Sequence, residues 1–362
     1  MDWSPFSIRL RVRRRGESDL NAGRYDVTTY IVRRLLLLPL VLFVVVTLVY
    51  VVLRTGPANP VDAATALVAD PQAIAQIRHE FGADRPIYVT YLEFVGGLLH
   101  GDFGKSFFSH RPVLDVILER LPATLELALS GLLIGTILGI GFGIVSALKA
   151  NTLIDTLCRV VAVSWLSTPI FWLGLLFIAL FTVKLGWLPA TGRFDARLGI
   201  PTPTHFYVLD SLLTGDPKNV AIALKYLAMP ATVLGFSISG FLLRLTRSTL
   251  LEALRQDYAR TARSKGLQER LVVIRHALRN SILPVVTMLG LLFGGLLGGA
   301  AVIETVFAWP GLGLLMVDSI NTRDYPQIQG SIGVFAAGYV VVNLLVDLLY
   351  TLIDPRIRYG KT

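Results

Sequence analysis

Cysteine is almost absent: Cys158 is the only one in 362 residues. A lone thiol excludes an intrachain disulfide and any thiolate metal cluster, and in its setting it reads as a small buried hydrophobe. Histidine is nearly as sparse. His79, His100, His110, His205 and His276 are scattered, with no HExxH or comparable metal-ligand spacing. No GxSxG elbow is present to carry a nucleophile. The one fragment of a phosphate loop, GKS at 104–106, lacks the glycine required five positions earlier, where Leu99 stands. No catalytic site, metal or cofactor is therefore expected. Charge is scarce as well, at 16% of residues, against about a quarter in soluble domains.

Apolar residues take the space. They make up 53% of the chain, and the mean hydropathy is +0.61, which places the chain in a membrane. A net charge of +9 could signal nucleic acid. The basic residues instead stand in blocks beside apolar runs, which fits anionic lipid and the cytoplasmic bias of Lys and Arg. Membrane lipid is an expected partner, and nucleic acid is not.

The segmentation predicts an all-α integral membrane protein with six transmembrane helices and both termini cytoplasmic. Residues 1–32 form a basic cytoplasmic tail containing Arg11, Arg13, Arg14 and Arg15, without the apolar core of a signal peptide. The first span, 33–54, is a retained anchor whose length at ~1.5 Å per residue approaches the ~30 Å hydrocarbon thickness. An extracytoplasmic region follows at 55–121. Spans two and three are 122–148 and 160–183, joined by a short inner loop; Pro169 should bend the third. A Pro- and Gly-rich outer loop, 184–225, leads to span four at 226–245. A cytoplasmic loop at 246–281 precedes span five at 282–308. An outer loop at 309–330, span six at 331–353 and a cytoplasmic tail at 354–362 complete the chain. In span two, Gly131, Gly135, Gly139 and Gly143 recur every fourth residue and predict a close helix contact. Span five carries Gly290, Gly294, Gly295, Gly298 and Gly299. These bare faces are expected to let helices slide.

The cytoplasmic stretch from Glu252 to Pro284 organises the rest. Leu251, Leu254, Tyr258 and Ala262 fall three and four residues apart and predict one apolar helical face. Gly266 is placed to stop that helix in the left-handed conformation. Leu267, Leu271, Ile274 and Leu278 predict a second amphipathic face, and Pro284 the start of the next span. Composition alone is equally met by a basic loop that only sets topology.

Polar groups inside the spans are few. Glu126 and Glu304 lie near span ends and are expected to be solvated at the interface. Asn343 and Asp347 share one face of span six, with Asp347 at a depth comparable to Arg244 in span four. Two readings stand for these intramembrane sites: an Arg244–Asp347 ion pair pinning the two helices, or a solute-lining surface.

Several phrases carry a resemblance. DYARTARSKGL, HALRN and ILPVVT resemble the cytoplasmic signature loop of ABC importer permeases. RPIYVTYLEFVGGLLHGDFGKS, RPVLDVILERLPATLELAL, STPIFWLG and FAWPGLGLLMVDSINTRDYPQIQG resemble the first permease subunit of dipeptide and oligopeptide importers. The likeness runs from Arg33 to the C-terminus. It implies a type I ABC importer permease fold in a prokaryotic inner (cytoplasmic) membrane. It also implies a second homologous permease, two cytoplasmic ABC ATPase subunits and an extracytoplasmic solute-binding protein, with ATP hydrolysed in the partners. Asp257, Tyr258, Thr261, Ala262, Arg263, Lys265, Gly266 and Leu267 match the family's coupling loop, which implies that they contact an ATPase. The wider permease pattern has Glu-Ala-Ala where Arg260, Thr261 and Ala262 stand here, and a shorter stretch after the glycine. The cargo implied is peptides, with oligosaccharides, glutathione or nickel chelates as alternatives. An ATP-independent channel or secondary transporter is the competing class, though it would call for more polar residues within the spans.

Overall fold

The computed structural model describes residues 36, 39–54, 70–80, 84–194 and 203–353, and within them the side chains at 73, 76, 77, 80, 297–299 and 347–353 lie outside the description. The basic N-terminal tail, the C-terminal tail and all of 55–69 fall outside it too. Among the described residues the architecture is helical. A single antiparallel bridge, Lys105 to Pro112, is the one sheet-like pairing there.

The helices, in chain order, are α1 (Pro39–Arg54), α2 (Pro71–Glu80), α3 (Ile87–Leu99) and α4 (Val113–Leu148). Next come α5 (Leu153–Ser167) and α6 (Ile170–Phe177), the latter prolonged by a π-helical stretch, Ile178–Lys184. The short α7 (Tyr207–Leu213) leads to α8 (Pro217–Arg255) and α9 (Asp257–Ser264). A short α10 (Glu269–Leu271) passes through π-helical Val272–Leu278 into α11 (Arg279–Gly299). The chain closes with α12 (Ala301–Val306), α13 (Leu312–Thr322) and α14 (Tyr325–Ile353).

Four stretches are long and apolar enough to cross a membrane: Val113–Leu148, Pro217–Arg255, Glu269–Leu296 and Tyr325–Val346. The pair α5 and α6 makes a fifth if read as one broken crossing, bent by 101°. The bend falls at Pro169, as its position predicts. Thr168, just before it, is extended at ψ 122, as the proline ring forces on its predecessor. Helix α8 begins well outside its expected span. Asp216 caps it by accepting from the Lys218 N–H at 2.9 Å, with Pro217 at the first helical position. Pro284 lies inside α11 and not at its start, because the π-helical stretch already runs into that helix.

α8 is the axis. Of its most apolar window 67% is buried, against 28% or less for the other three long stretches. The glycine stripe of α4 explains why. A Cβ at Gly131, Gly135, Gly139 or Gly143 would fall under 3.0 Å from Leu234, Ile238, Leu242 or Thr246 respectively. Each step of four along α4 meets a step of four along α8, so the two helices run parallel and in register. Every glycine receives a side chain as a knob, so this pair is interlocked. The expectation that bare glycine faces let helices slide is corrected here. On α11, Gly290 receives Val346 and Gly294 receives Tyr339. There the order reverses, so α11 and α14 run antiparallel, and Gly295 faces open space. The main core joins α4 and α8 to α11 and α12 through Leu127, Leu234, Leu296, Ile303 and Trp309.

Candidate functional site

The hairpin that follows α8 begins with a break. Gln256 is extended at ψ 155 and its carbonyl accepts from the Ala259 N–H, so α8 ends and α9 starts a new helix. The continuous face expected from Leu251 to Ala262 is therefore interrupted. Leu251 and Leu254 pack at the end of α8 with Leu250, Ala253, Ala147 and Ala277. In α9 the inward residues are Ala259 and Ala262, against Val272, while Tyr258 turns outward.

Gly266 ends α9 at φ +76. The Gly266 N–H donates to Arg263 O at 2.9 Å and the Leu267 N–H to Ala262 O at 3.3 Å. These two bonds form the Schellman pattern, which satisfies the last carbonyls of the helix. Arg263 then locks the turn. Its Nε and Nη2 donate to Glu269 Oε2 and Oε1 at 2.9 and 2.7 Å, and Nη1 donates to Leu254 O at 3.1 Å. One guanidinium thus ties α8, α9 and α10 together, and the Glu269 hydrogen bond holds the Arg263 pKa above its ordinary value.

Of the eight residues matched to a coupling loop, Asp257, Tyr258, Thr261, Lys265 and Leu267 present their side chains to solvent and Gly266 shapes the turn. Ala262 is buried, and Arg263 is occupied within the hairpin. The second apolar face keeps its grouping but points away from the core. Val272, Val273 and Ala277 point inward, whereas Leu267, Leu271 and Ile274 are exposed together. The outer surface is thus mixed: Tyr258, Leu267, Leu271 and Ile274 among Asp257, Arg260 and Lys265.

Behind the hairpin sits a cluster that no motif in the sequence announces. Asp155, in the first turn of α5, has no exposed surface. It accepts from Ser146 Oγ of α4 at 2.6 Å, from the Asn151 N–H at 2.9 Å, and from Arg247 Nε and Nη2 of α8 at 2.7 and 2.8 Å. Arg159 adds a longer contact at 3.6 Å. Every acceptor position of the carboxylate is used, which is what burial of a charge demands.

At the opposite end of α4, two carboxylates expected to be solvated are buried. Glu126 accepts from Arg193 Nη2 at 2.6 Å, from its Nε at 3.0 Å and from the Val208 N–H at 2.7 Å. Arg193 also lies over the Tyr207 ring at 4.2 Å. Glu304 accepts from Thr124 Oγ1 at 2.6 Å and the Leu314 N–H at 2.9 Å, while Trp309 Nε1 donates to Ala123 O at 2.9 Å. Gly311 is required there, since a Cβ would overlap the Glu304 carboxylate. These glutamates hold the segments around Arg193 and Val208 and around Leu312–Leu314 to α4. Ser106 of the GKS fragment is engaged too: its hydroxyl donates to Asp324, and Asp324 also accepts from the Phe107 N–H at 3.2 Å. That serine clamps a loop to the start of α14.

Arg244 is exposed, with its guanidinium 5.9 Å from the Phe241 ring, and Asn343 is half-buried. The side chain of Asp347 lies outside the described residues. Its helix, α14, packs chiefly on α11, α13 and α4.

The family described as binding-protein-dependent transport system inner membrane component matches residues 139–359, and its companion N-terminal family matches 27–128. The chain belongs to this family of ABC importer permeases, which do not themselves hydrolyse ATP. It is 42% identical over 334 residues to the di/tripeptide transport system permease protein DppB of Pseudomonas aeruginosa (strain UCBPP-PA14), spanning 92% of this chain and 99% of that one. It is 44% identical over 324 residues to the probable D,D-dipeptide transport system permease protein DdpB of Escherichia coli (strain K12), over 89% and 95%. The glutathione transport system permease protein GsiC of the same strain is 39% identical over 330 residues, covering 91% and 99%. A solved structure of the MetNI methionine ABC transporter overlays with a TM-score of 0.48 at 13% identity, over 67% of this chain and 97% of that one.

Proposed function

We propose that this chain forms half of the translocation path of an ATP-driven importer for di- and oligopeptides. A second homologous permease forms the other half, two cytoplasmic ATPases drive it, and an extracytoplasmic solute-binding protein delivers the cargo. The membrane is the prokaryotic inner membrane, crossed six times, with α1 as the first crossing, α5 and α6 together as the third, and both termini inside. The excess of Arg and Lys in the N-terminal tail, the 244–279 loop and the C-terminal tail supports that orientation.

The observation that carries this reading is the hairpin. A rigidly capped eight-residue helix with a mixed outer face stands where α8 leaves the core and α11 enters it. Such an element transmits a partner's motion without deforming, because Arg263 fixes it to both flanking helices. ATPase closure would carry α9, and with it α8 and α11. Since α4 is interlocked with α8, the two swing as one body. Asp257, Tyr258, Thr261, Lys265 and Leu267 make the contact, while Arg263 and Gly266 hold its shape. Peptide as cargo is supported by near full-length relatives named for dipeptides, and glutathione, itself a tripeptide, is the second reading. The test is uptake of a labelled dipeptide and of glutathione by vesicles containing the assembled importer. Peptide uptake that needs both ATP and the binding protein is the expected result; glutathione uptake alone would favour the second reading.

A further inference from the structure

One face of α1 lines two cavities in succession. Pro39, Leu42, Phe43 and Val46 line an apolar cavity of about 300 Å³. Tyr50 and Arg54, on the same helical stripe, line a polar cavity of about 400 Å³. α14 repeats the change of character in reverse chain order: Pro326 and Gln329 face the polar cavity, and Gly333, Val334 and Ala337 the apolar one. α3 contributes to both, and Phe103 walls both. Two helices that switch from apolar to polar along matching faces outline the shape of an amphiphile.

The polar end has a definite charge. Arg85 is neutralised there by Glu93, whose two oxygens accept from Nη1 at 2.8 and 2.9 Å. Asp102 is engaged by the Gly104 N–H at 2.8 Å. Two cations remain. Arg54 Nε is buried without a hydrogen-bond partner, and Lys105 forms no ion pair among the described residues. A buried, unpaired guanidinium donor is costly unless an anion meets it. A soluble anion would answer only to the polar end and a hydrocarbon only to the other.

We propose that the groove between α1, α3 and α14 holds one anionic glycerophospholipid. Its phosphate lies against Arg54 and Lys105, and an acyl chain occupies the cleft from Val46 to Pro39. The lipid fastens α1 to α14 and requires only that these helices sit in a bilayer; it is independent of the cargo.

The test uses the full assembly, purified in mild detergent, depleted of lipid and returned to nanodiscs of mixed phosphatidylglycerol and phosphatidylcholine. Native mass spectrometry counts the lipid retained per chain. One phosphatidylglycerol should persist in preference to phosphatidylcholine. Arg54→Gln and, separately, Lys105→Gln should each lower its retention roughly fivefold, as expected for one basic side chain at an anionic headgroup. Ala337→Trp, which fills the cleft, should abolish it. Co-purification of the ATPases, scored in every variant, separates a folding failure from loss of the lipid. Equal retention of both lipids, unchanged by Arg54→Gln and Lys105→Gln, would overturn the proposal. So would glycerophosphate binding as tightly as the lipid and indifferently to Ala337→Trp, or a partner subunit cross-linking through a Phe43→Cys variant.

Discussion

Gly266 and Gly135 lack a side chain for different reasons. At Gly266 the space that a Cβ would take is open but φ is +76, so the constraint is conformational. At Gly135 the backbone is ordinary and the space is taken by Ile238 and the Gly235 carbonyl. Gly266→Ala should therefore cost roughly 1–2 kcal/mol, confined to the hairpin, and Gly266→Asn less, since Asn tolerates the left-handed region. Weaker ATPase co-purification with unchanged thermal unfolding of the transmembrane core would show it. Gly135→Leu should instead lower the unfolding temperature of the whole assembly, as overpacking costs about 1–3 kcal/mol or more where neither helix can yield. Arg263→Lys keeps the charge but cannot reproduce the paired bonds to Glu269 together with the one to Leu254. It should weaken coupling much as Arg263→Gln does, read as ATP hydrolysis no longer stimulated by the loaded binding protein.

Between helices, the decisive contacts are carboxylates serving several donors at once. Asp155 joins α4, α5 and α8 at one end of the molecule, and Glu126 joins α4 to the loop carrying Arg193 at the other. Removing one partner of a buried pair strands the other, at about 3–5 kcal/mol. Asp155→Asn should fall toward the lower end, because Arg247 keeps 22% of its side-chain surface exposed. It should open the Lys149–Asn151 turn to protease in everted vesicles while leaving the outer loops protected. Arg193→Met should do the reverse in right-side-out vesicles, exposing the outer loop to protease and sparing the inner one. Helical class, the α4 glycine stripe, the bend at Pro169 and the glycine stop at 266 were legible because each is a local signal of period or φ. These carboxylate clusters were not. Glu126 and Arg193 are far apart in sequence, and a lone acid near a helix end looks the same whether it meets water or a guanidinium. The outward turn of Leu271 and Ile274 escaped as well, since periodicity groups residues on one face without saying whether that face meets the core.

For the molecule as a whole, α4 with α8 and α11 with α14 are two interlocked pairs, joined to each other by the shared core of Leu127, Leu234, Leu296 and Ile303 as well as by the hairpin. Side chains set into glycine gaps interlock each pair, and under the proposed function a pull on α9 should therefore move each pair as a unit. The most direct measurement is a pull-down of the tagged chain from mild detergent, comparing the parent with Tyr258→Glu, which alters the outer face of α9 and leaves the Arg263 clamp intact. Two ATPases and a second permease should co-purify with the parent, and the variant should keep the permease and lose the ATPases. Retention of the ATPases by the variant would contradict the role given to α9, and a parent chain that purifies alone and moves solute into liposomes without ATP would contradict the account entirely.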